Sequence, residues 1–126
     1  MQNLCPCHSG KAYDLCCKPF HEGMKPPSAL ALMRSRYSAY ALENADYIIR
    51  TTHPKSSHFE KNRKAWTHKI LQFSRRSRFV GLEILGFGED WVHFAAKLKQ
   101  NEMDVILNER SRFEKIDGQW LYTEHD

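Results

Sequence analysis

All four cysteines of the chain lie in one short stretch, LCPCHSGKAYDLCCKPFH, which covers residues 4–21. The N-terminus lacks the apolar segment of a secretory signal, so we expect a cytoplasmic protein whose thiols stay reduced. Disulfides within each close pair of cysteines would strain the bond geometry, and only cross-pairing between the two pairs remains sterically open. Four thiolates also match the tetrahedral coordination of zinc, with Zn–S distances of about 2.3 Å. Zinc is therefore the predicted cofactor, with the ligands Cys5, Cys7, Cys16 and Cys17.

The spacing C-x-C-x8-C-C is typical of a zinc knuckle. Pro6 stiffens the first pair, residues 9–10 supply a Ser-Gly turn, and residues 12–15 can form one helical turn that presents the second pair. His8 and His21 are two further imidazoles, either of which could replace one thiolate. Because a site with four protein ligands leaves no open coordination position, the predicted zinc folds the segment rather than catalysing a reaction.

A second candidate site depends on the alternation of a long predicted strand near the C-terminus. If the apolar residues at positions 103, 105, 107 and 113 face the core, Glu109 and Ser111 face it as well. A buried carboxylate needs a cation, for which Arg34 on the first long helix is the best candidate and Arg63 the runner-up. We assign Arg34, Glu109 and His53 to a ligand-binding cavity, with purely structural pairing as the alternative. A bulge in the strand would instead turn Arg110 and Arg112 inward.

Positive charge is concentrated in the middle of the chain. Residues 50–78 contain nine lysines and arginines against the single Glu60, whereas residues 79–126 contain five against ten acids. On a helical wheel, Lys61, Lys64 and Arg75 lie opposite the aromatic residues of the third long helix. This basic surface indicates either a solvated helix face or a contact for nucleic acid, such as ribosomal RNA, or for an acidic protein partner.

The composition, with 41% hydrophobic and 27% charged residues, is that of one ordinary globular domain with a small appendage. We expect no membrane span, since the apolar runs are far shorter than the roughly 18 residues that one requires. The segment GMKPP, at residues 23–27, interrupts any continuous helix. We therefore predict a zinc knuckle over residues 1–25 and an α+β domain over residues 26–126.

The periodicity of the second part of the chain changes from helical to alternating. Ser28 is the predicted N-cap of a helix of about four turns, Asn44 caps a short second helix, and a third begins near Ser57. After Arg78 the apolar residues alternate, with turns predicted at residues 89–90, 101–102 and 117–118. Three helices followed by a four-stranded antiparallel meander predict helices packed on one face of a sheet.

The pattern CPC-x-SG-x-x-Y-x-x-CC resembles the SEC-C motif, a short zinc-binding module best known from the C-terminal tail of the bacterial preprotein translocase motor ATPase. His8 stands where that motif more often has glycine. With the segments LMRSRYSAYAL, ADYIIRTTHP, ERSRF and GQWLY, the whole chain is similar to the YchJ family of small bacterial proteins. The resemblance implies a SEC-C knuckle joined to a nuclear transport factor 2-like (cystatin-like) domain, a curved sheet that wraps helices around a conical cavity. Many members carry a second, C-terminal SEC-C motif, which is absent from this sequence, so we expect no role that requires two knuckles.

Two functional hypotheses follow from these patterns. The first is an adaptor, in which the knuckle contacts a protein or ribosomal partner and the cone domain holds a small ligand. The second is a small enzyme of the isomerase or hydrolase type that uses polar residues of the cavity, such as Glu109, an arginine and His53. The second rests on analogy between folds alone. We favour the adaptor, because the zinc pattern is specific and the sequence places no complete acid–base set.

Overall fold

A computed structural model describes residues 3–126 of the chain. A short 3-10 turn at Tyr13–Leu15 is followed by four α-helices and then by four β-strands. The helices are α1 (Lys18–His21), α2 (Ala29–Ala41), α3 (Ala45–Arg50) and α4 (Arg63–Arg75), and the strands are β1 (Arg78–Phe87), β2 (Trp91–Gln100), β3 (Met103–Ile116) and β4 (Gln119–His125). Among the described residues, no helix is long and apolar enough to cross a membrane.

The four strands form one antiparallel sheet in the order β1-β2-β3-β4, as the alternation predicted. The turn before β4 uses Asp117 and Gly118, whose φ angles are 51° and 79°, so both residues adopt the left-handed conformation of a tight hairpin. A register irregularity between Phe79 and Gly81 interrupts the alternation of β1 and leaves Val80 half exposed. The sheet is therefore a meander whose apolar face broadly follows the period of two, with further register shifts between Ile84 and Gly86 and between Arg112 and Phe113.

Side-chain caps begin the three longer helices. The Ser28 hydroxyl accepts a hydrogen bond from the Ala31 amide, and the Asn44 side chain accepts one from Tyr47. These two caps match the prediction, because each satisfies an amide that has no partner within the helix. The third cap is Asn62, so α4 begins at Arg63 rather than near Ser57.

The segment before α4 is hydrogen-bonded along strand β4. These bonds explain why α4 begins later than predicted. The His53 amide donates to the Tyr122 carbonyl, and the Tyr122 amide donates to the Thr51 carbonyl, both at 2.8 Å. The Ser57 amide and hydroxyl both donate to the Glu124 carboxylate at 2.7 Å. Because these groups are bonded to the sheet, the chain stays non-helical up to the Asn62 cap.

Helix α2 is the central element of the packing. It contacts the sheet on one side, and α1 and α3 on the other. Its small polar residues Ser35 and Ser38 are fully buried, and the Ser35 hydroxyl lies 2.6 Å from the Tyr47 hydroxyl on α3. The helices therefore lie on one face of a curved sheet, which confirms the predicted α+β cone.

The N-terminal segment is packed onto the rest of the fold. Its buried cysteines share one apolar core with α2, α3 and the sheet. The His8 Nε2 lies 3.1 Å from the Phe79 carbonyl oxygen on β1, and the Arg50 guanidinium donates to the carbonyls of Phe20 and His21. The segment is thus docked on α2, α3 and the start of β1 through hydrogen bonds as well as through apolar contacts.

Candidate metal centre and cavity

The four cysteine sulfurs converge on one point. All lie within 4.8 Å of one another, with Cys7 Sγ 3.6 Å from Cys16 Sγ and Cys16 Sγ 3.9 Å from Cys17 Sγ. A tetrahedral zinc with Zn–S bonds of about 2.3 Å requires sulfur–sulfur distances of about 3.8 Å. All four cysteines are free in the structure, which has no disulfide between the two pairs. The cluster therefore has the composition and the size of a metal site.

Tight backbone turns bring the two cysteine pairs together. The Cys5 amide donates to the Lys11 carbonyl at 2.8 Å, and Leu4 pairs with Ala12 as an isolated antiparallel bridge. Between them, His8 and Gly10 adopt positive φ angles of 63° and 87°. Glycine enters this conformation at little cost, whereas most other residues do so rarely. The sequence therefore closes a small loop that faces the 3-10 turn carrying the second pair.

Burial and mutual hydrogen bonding shift the pKa values of the cysteine thiols. Cys5, Cys7 and Cys17 are almost wholly buried, whereas Cys16 is partly exposed. Hydrogen bonds from the thiols of Cys17 and Cys5 lower the pKa of Cys7, whereas hydrogen bonds with Cys5 and Cys7 raise the pKa of Cys17. The cluster thus favours a first thiolate at Cys7, and the ligands of a divalent metal must be thiolates.

The two spare histidines have other partners. His21 Nε2 lies 2.8 Å from the Ser35 carbonyl oxygen, which can only accept, so this nitrogen carries the proton. Its Nδ1 lies 2.7 Å from the Tyr13 hydroxyl, which then donates to it. Both ring nitrogens are therefore occupied, Nδ1 within the knuckle and Nε2 in docking the knuckle on α2. The Nε2 of His8 faces the Phe79 carbonyl, as described above, and the metal cluster consists of cysteines alone.

Arg34 lies at the metal cluster and does not line the cavity to which the sequence analysis assigned it. Its Nη1 donates to the Cys7 carbonyl oxygen at 3.2 Å and lies 3.9 Å from Cys7 Sγ. The assignment failed because α2 is buried on two sides, and Arg34 faces the knuckle side. A cation next to four thiolates offsets their negative charge.

A cavity of about 400 Å³ lies between the helices and the concave face of the sheet. Glu109 is on its wall, on the same face of β3 as Leu107, Ser111 and Phe113, so the predicted register stands and Arg110 and Arg112 are exposed. Among residues 3–126, no lysine, arginine or histidine lies within ion-pair distance of Glu109. Arg63, the runner-up partner, pairs with Asp46 on the surface instead.

The buried cation on the cavity wall is Arg36, a residue that the sequence predictions did not include. Its Nη1 lies 2.8 Å from Thr51 Oγ1 and 3.1 Å from both Thr52 Oγ1 and the Ile48 carbonyl oxygen. Its guanidinium carbon lies 4.6 Å from the centre of the Tyr122 ring. Burial lowers the pKa of Arg36 and raises that of the Tyr122 phenol. The cavity thus combines a desolvated guanidinium with an aromatic surface.

The helical spacing of the cavity residues contained a signal for Arg36. Met33, Arg36, Tyr37 and Tyr40 all line the cavity, and they occupy positions i, i+3, i+4 and i+7 of α2. This spacing marks one face of a helix. An arginine within such an apolar set is a candidate for a buried cation, which makes Arg36 a better candidate for the cavity than Arg34.

His53 also lies outside this cavity, contrary to its assignment. Its Nε2 is 3.2 Å from Glu114 Oε2, and its Nδ1 accepts the Lys55 amide at 2.9 Å. The residue borders a separate, shallow hollow. The reason is that residues 51–53 run along the outside edge of β4, where the side chain of His53 meets the outward face of β3. Both nitrogens are used in these contacts, which gives His53 a structural role.

The predicted basic surface is only partly free of acidic partners. Lys61 precedes α4 and Lys64 lies in its first turn, and both are exposed. Neither has an acidic partner within 4 Å among the described residues. Arg75, by contrast, pairs with Glu43 at 2.7 Å, and Lys69 pairs with Glu60 at 2.9 Å. The unpaired positive charge is therefore smaller than the sequence count suggested.

Fold and site together define a class of protein: a cone-shaped α+β domain that carries a docked N-terminal four-cysteine module. Residues 28–125 match the family model described as "YchJ, middle NTF2-like domain". The chain belongs to the YchJ family, which confirms the resemblance seen in its sequence.

Several known proteins are similar to this chain over most of its length. The UPF0225 protein of Deinococcus radiodurans is 42% identical over 120 residues, which cover 94% of this chain and 85% of that protein. The UPF0225 protein of Actinobacillus succinogenes is 40% identical, over 98% of this chain and 82% of its own length. The solution structure of a SEC-C motif containing protein from Rhodopseudomonas palustris, 34% identical, superposes with a TM-score of 0.80 over 100% of this chain and 98% of that one. A SEC-C motif containing protein from Psychrobacter arcticus, 22% identical, has the same fold, with a TM-score of 0.75 over 95% of this chain and 80% of its own.

Proposed function

We propose that the protein is a zinc-binding adaptor. Its four-cysteine module holds one structural zinc ion and contacts a protein or ribosomal partner, and its cone domain carries a small ligand. The observation that carries this proposal is the convergence of four free thiols at the sulfur–sulfur spacing of a tetrahedral zinc site. The alternative of an enzyme loses one of the polar residues proposed for it, since His53 lies outside the cavity.

Exposed apolar side chains on the knuckle support a role in partner binding. Leu4, Leu15 and Met24 are 69%, 75% and 62% exposed, respectively, although the segment is short. Large apolar side chains in water gain free energy when a partner covers them. Three of them in one short module are the residues through which the knuckle would contact a partner. Leu15 directly precedes Cys16, so the metal would fix the position of this side chain.

The metal assignment is tested by native mass spectrometry of protein prepared under reducing conditions. We expect one zinc per wild-type chain and none in Cys16→Ser, with Leu15→Ser as a control that retains the metal. Zinc binding contributes on the order of 10–16 kcal/mol to small zinc peptides, so chelation should disorder the knuckle while the domain from Ser28 onward stays folded. Wild-type protein without zinc, or global unfolding on chelation, would count against the assignment.

The partner assignment needs variants that separate the metal from the surface. Affinity capture from lysate should recover the same bound protein with wild type and with Leu85→Ser, which removes an exposed apolar residue of β1. Capture should fail with Cys16→Ser and with Leu15→Ser, although the second variant keeps its zinc. Equal capture by all four proteins would remove the knuckle from the contact.

The basic surface of Lys61, Lys64 and Arg75 supports a second proposal, contact with RNA. Lys61 and Lys64 are exposed without acidic partners in the described part of the chain, whereas Arg75 would have to leave Glu43. Each phosphate contact contributes about 0.7–0.9 to the slope of log K against log salt. Replacing both lysines by glutamine should lower that slope by about twice this amount, and an absence of RNA binding at about 50 mM salt would reject the proposal.

A further inference from the structure

Arg36 is a cation that the protein surrounds without neutralising. The guanidinium is desolvated by the walls of the cavity, and within residues 3–126 no carboxylate lies within ion-pair distance of it. Only Nη1 is engaged, with two threonine hydroxyls and one backbone carbonyl. Nε and Nη2 have no acceptor among the described residues, and they are absent from the fully buried atoms that lack a hydrogen-bond partner. These N–H groups therefore face the open space of the cavity.

Glu109 presents the complementary group on another wall. It lies on the concave face of β3, opposite Phe94 of β2, and both residues line the cavity. Its distance from Arg36 exceeds the 4 Å of an ion pair, so the two charges remain available to a molecule between them. A carboxylate only accepts hydrogen bonds, so it requires a hydroxyl or an N–H from its occupant.

The surface between the two charges is largely aromatic. Tyr40 and Phe73 meet edge to face with ring centres 5.5 Å apart, and Phe73 meets Phe79 in the same way at 6.0 Å. Tyr122 adds the ring on which the Arg36 guanidinium stacks. Such walls favour a planar, apolar body. The volume of about 400 Å³ falls within the usual range for sites that hold small molecules.

The charge balance of the cavity selects one class of anion. A phosphate ester carries nearly two negative charges at neutral pH. It would meet one buried arginine together with the repulsion of Glu109, because Lys69, which also lines the cavity, is paired with Glu60 at 2.9 Å. A carboxylate carries a single charge and matches the planar fork of a guanidinium. We propose that the cavity binds a small aromatic carboxylic acid, with its carboxylate on Arg36 and a hydroxyl or N–H donor directed to Glu109. This inference rests on the ligand-holding part of the proposed function, and it is independent of the zinc site.

The open end of the cavity gives such a molecule a way in. His58, Lys69 and His125 line the cavity and are also exposed to solvent, so they mark its mouth. The rings of His58 and His125 stack with centres 5.1 Å apart. Arg36 lies deeper than these residues, against Thr51 and Thr52. The charged end of the ligand would therefore enter first, and the donor end would follow.

The experiment compares four probes of similar size on the wild-type, zinc-containing protein. They are 4-hydroxyphenylacetate, phenylacetate, the neutral 4-hydroxyphenylacetamide and the cationic tyramine. Binding is followed by ¹H–¹⁵N NMR, including the Arg36 Nε–H resonance. We expect 4-hydroxyphenylacetate to bind with a Kd on the order of 1 mM or below, and roughly ten-fold or more tightly than the amide and tyramine. Phenylacetate should bind more weakly than its hydroxylated counterpart, 4-hydroxyphenylacetate. Glu109→Gln should change the ratio of these two affinities.

Variants then assign the preference to Arg36. Arg36→Gln should reduce the ratio between acid and amide to near one, whereas Arg36→Lys should keep part of it. Arg110→Gln is the matched control, because it removes the same charge from the outward face of β3 and should leave the ratio unchanged. Loss of Arg36 also removes the bonds to Thr51 and Thr52, so the comparison of probes on wild type stands even if that variant does not fold.

The outcomes separate this inference from the broader proposal. Equal affinity for acid, amide and amine would overturn the carboxylate assignment while leaving a ligand-holding cavity. Failure of all four probes to perturb the cavity resonances would overturn both the assignment and that cavity role. The zinc stoichiometry and the partner capture would be unaffected by either result, since they depend on the knuckle.

Discussion

Replacing Arg34 by methionine should weaken zinc binding by about 10- to 100-fold. Zinc with four thiolates carries two net negative charges, and the Arg34 guanidinium lies 3.9 Å from one of the sulfurs and 3.2 Å from the carbonyl oxygen of the same cysteine. A hydrogen bond from a charged group contributes about 1.5–3 kcal/mol, and each 1.4 kcal/mol is a factor of ten in affinity. Methionine keeps much of the aliphatic stem and removes the charge and the donors.

The affinity is measured by competition with a chromogenic chelator at pH 7.5 under reducing conditions. Lys18→Met serves as the control, because Lys18 lies in the same segment, is exposed, and pairs only with Asp14 at 3.6 Å. Its loss should change the zinc Kd by no more than about two- to three-fold, since exposed ion pairs contribute little. Equal weakening by the two substitutions, or no weakening by Arg34→Met, would refute a role of the direct contact with Cys7.

Two further predictions concern the stability of the fold. Burial lowers the pKa of His21 below its ordinary value of 6.5, so the contribution of His21 to stability is complete above about pH 6.5 and declines as the pH falls through the lowered pKa. With zinc in excess, the Tm of His21→Gln should therefore fall less between pH 7.5 and 5.5 than the Tm of wild type. An equal fall in both proteins would remove His21 from the effect. Gly118 has a φ of +79°, and a Cβ there would meet only Lys25 Nζ at 3.9 Å. Gly118→Ala should therefore lower the free energy of unfolding, measured in urea, by about 1 kcal/mol through backbone strain alone. Gly118→Asn should lower it less, because asparagine tolerates a positive φ, and equal losses would contradict this account.

Local signals predicted most of the fold correctly. The Ser28 and Asn44 caps, the tight turns and the alternation of the strands each depend on neighbouring residues, and the structure has them where the sequence placed them. The cysteine cluster is local in the same sense, because its four members lie within thirteen consecutive residues. Fold and family were therefore accessible from the sequence.

The errors came from contacts between distant parts of the chain. The third helix was predicted to begin near Ser57, but Ser57 donates hydrogen bonds to Glu124, 67 positions later. Arg34 was assigned to the cavity because α2 was treated as buried on one side. Ser35 and Ser38 are small and polar, and their full burial against α1 and α3 gives the helix a second buried face that a hydrophobicity pattern does not reveal. The choice between Arg34 and Arg36 depended on which face met the sheet.

Helix α2 contains three consecutive residues, Arg34, Ser35 and Arg36, that join the cysteine cluster to the cavity. Successive helical residues are rotated by about 100°, so Arg34 reaches the cysteine cluster while Arg36, two positions later, reaches the cavity. A metal at the cysteine cluster and a ligand in the cavity would therefore act on the same turn of one helix. Their binding free energies are subject to linkage: any factor by which zinc changes the affinity for the ligand is the factor by which the ligand changes the affinity for zinc. A zinc titration performed with and without the aromatic acid would measure this coupling in either direction.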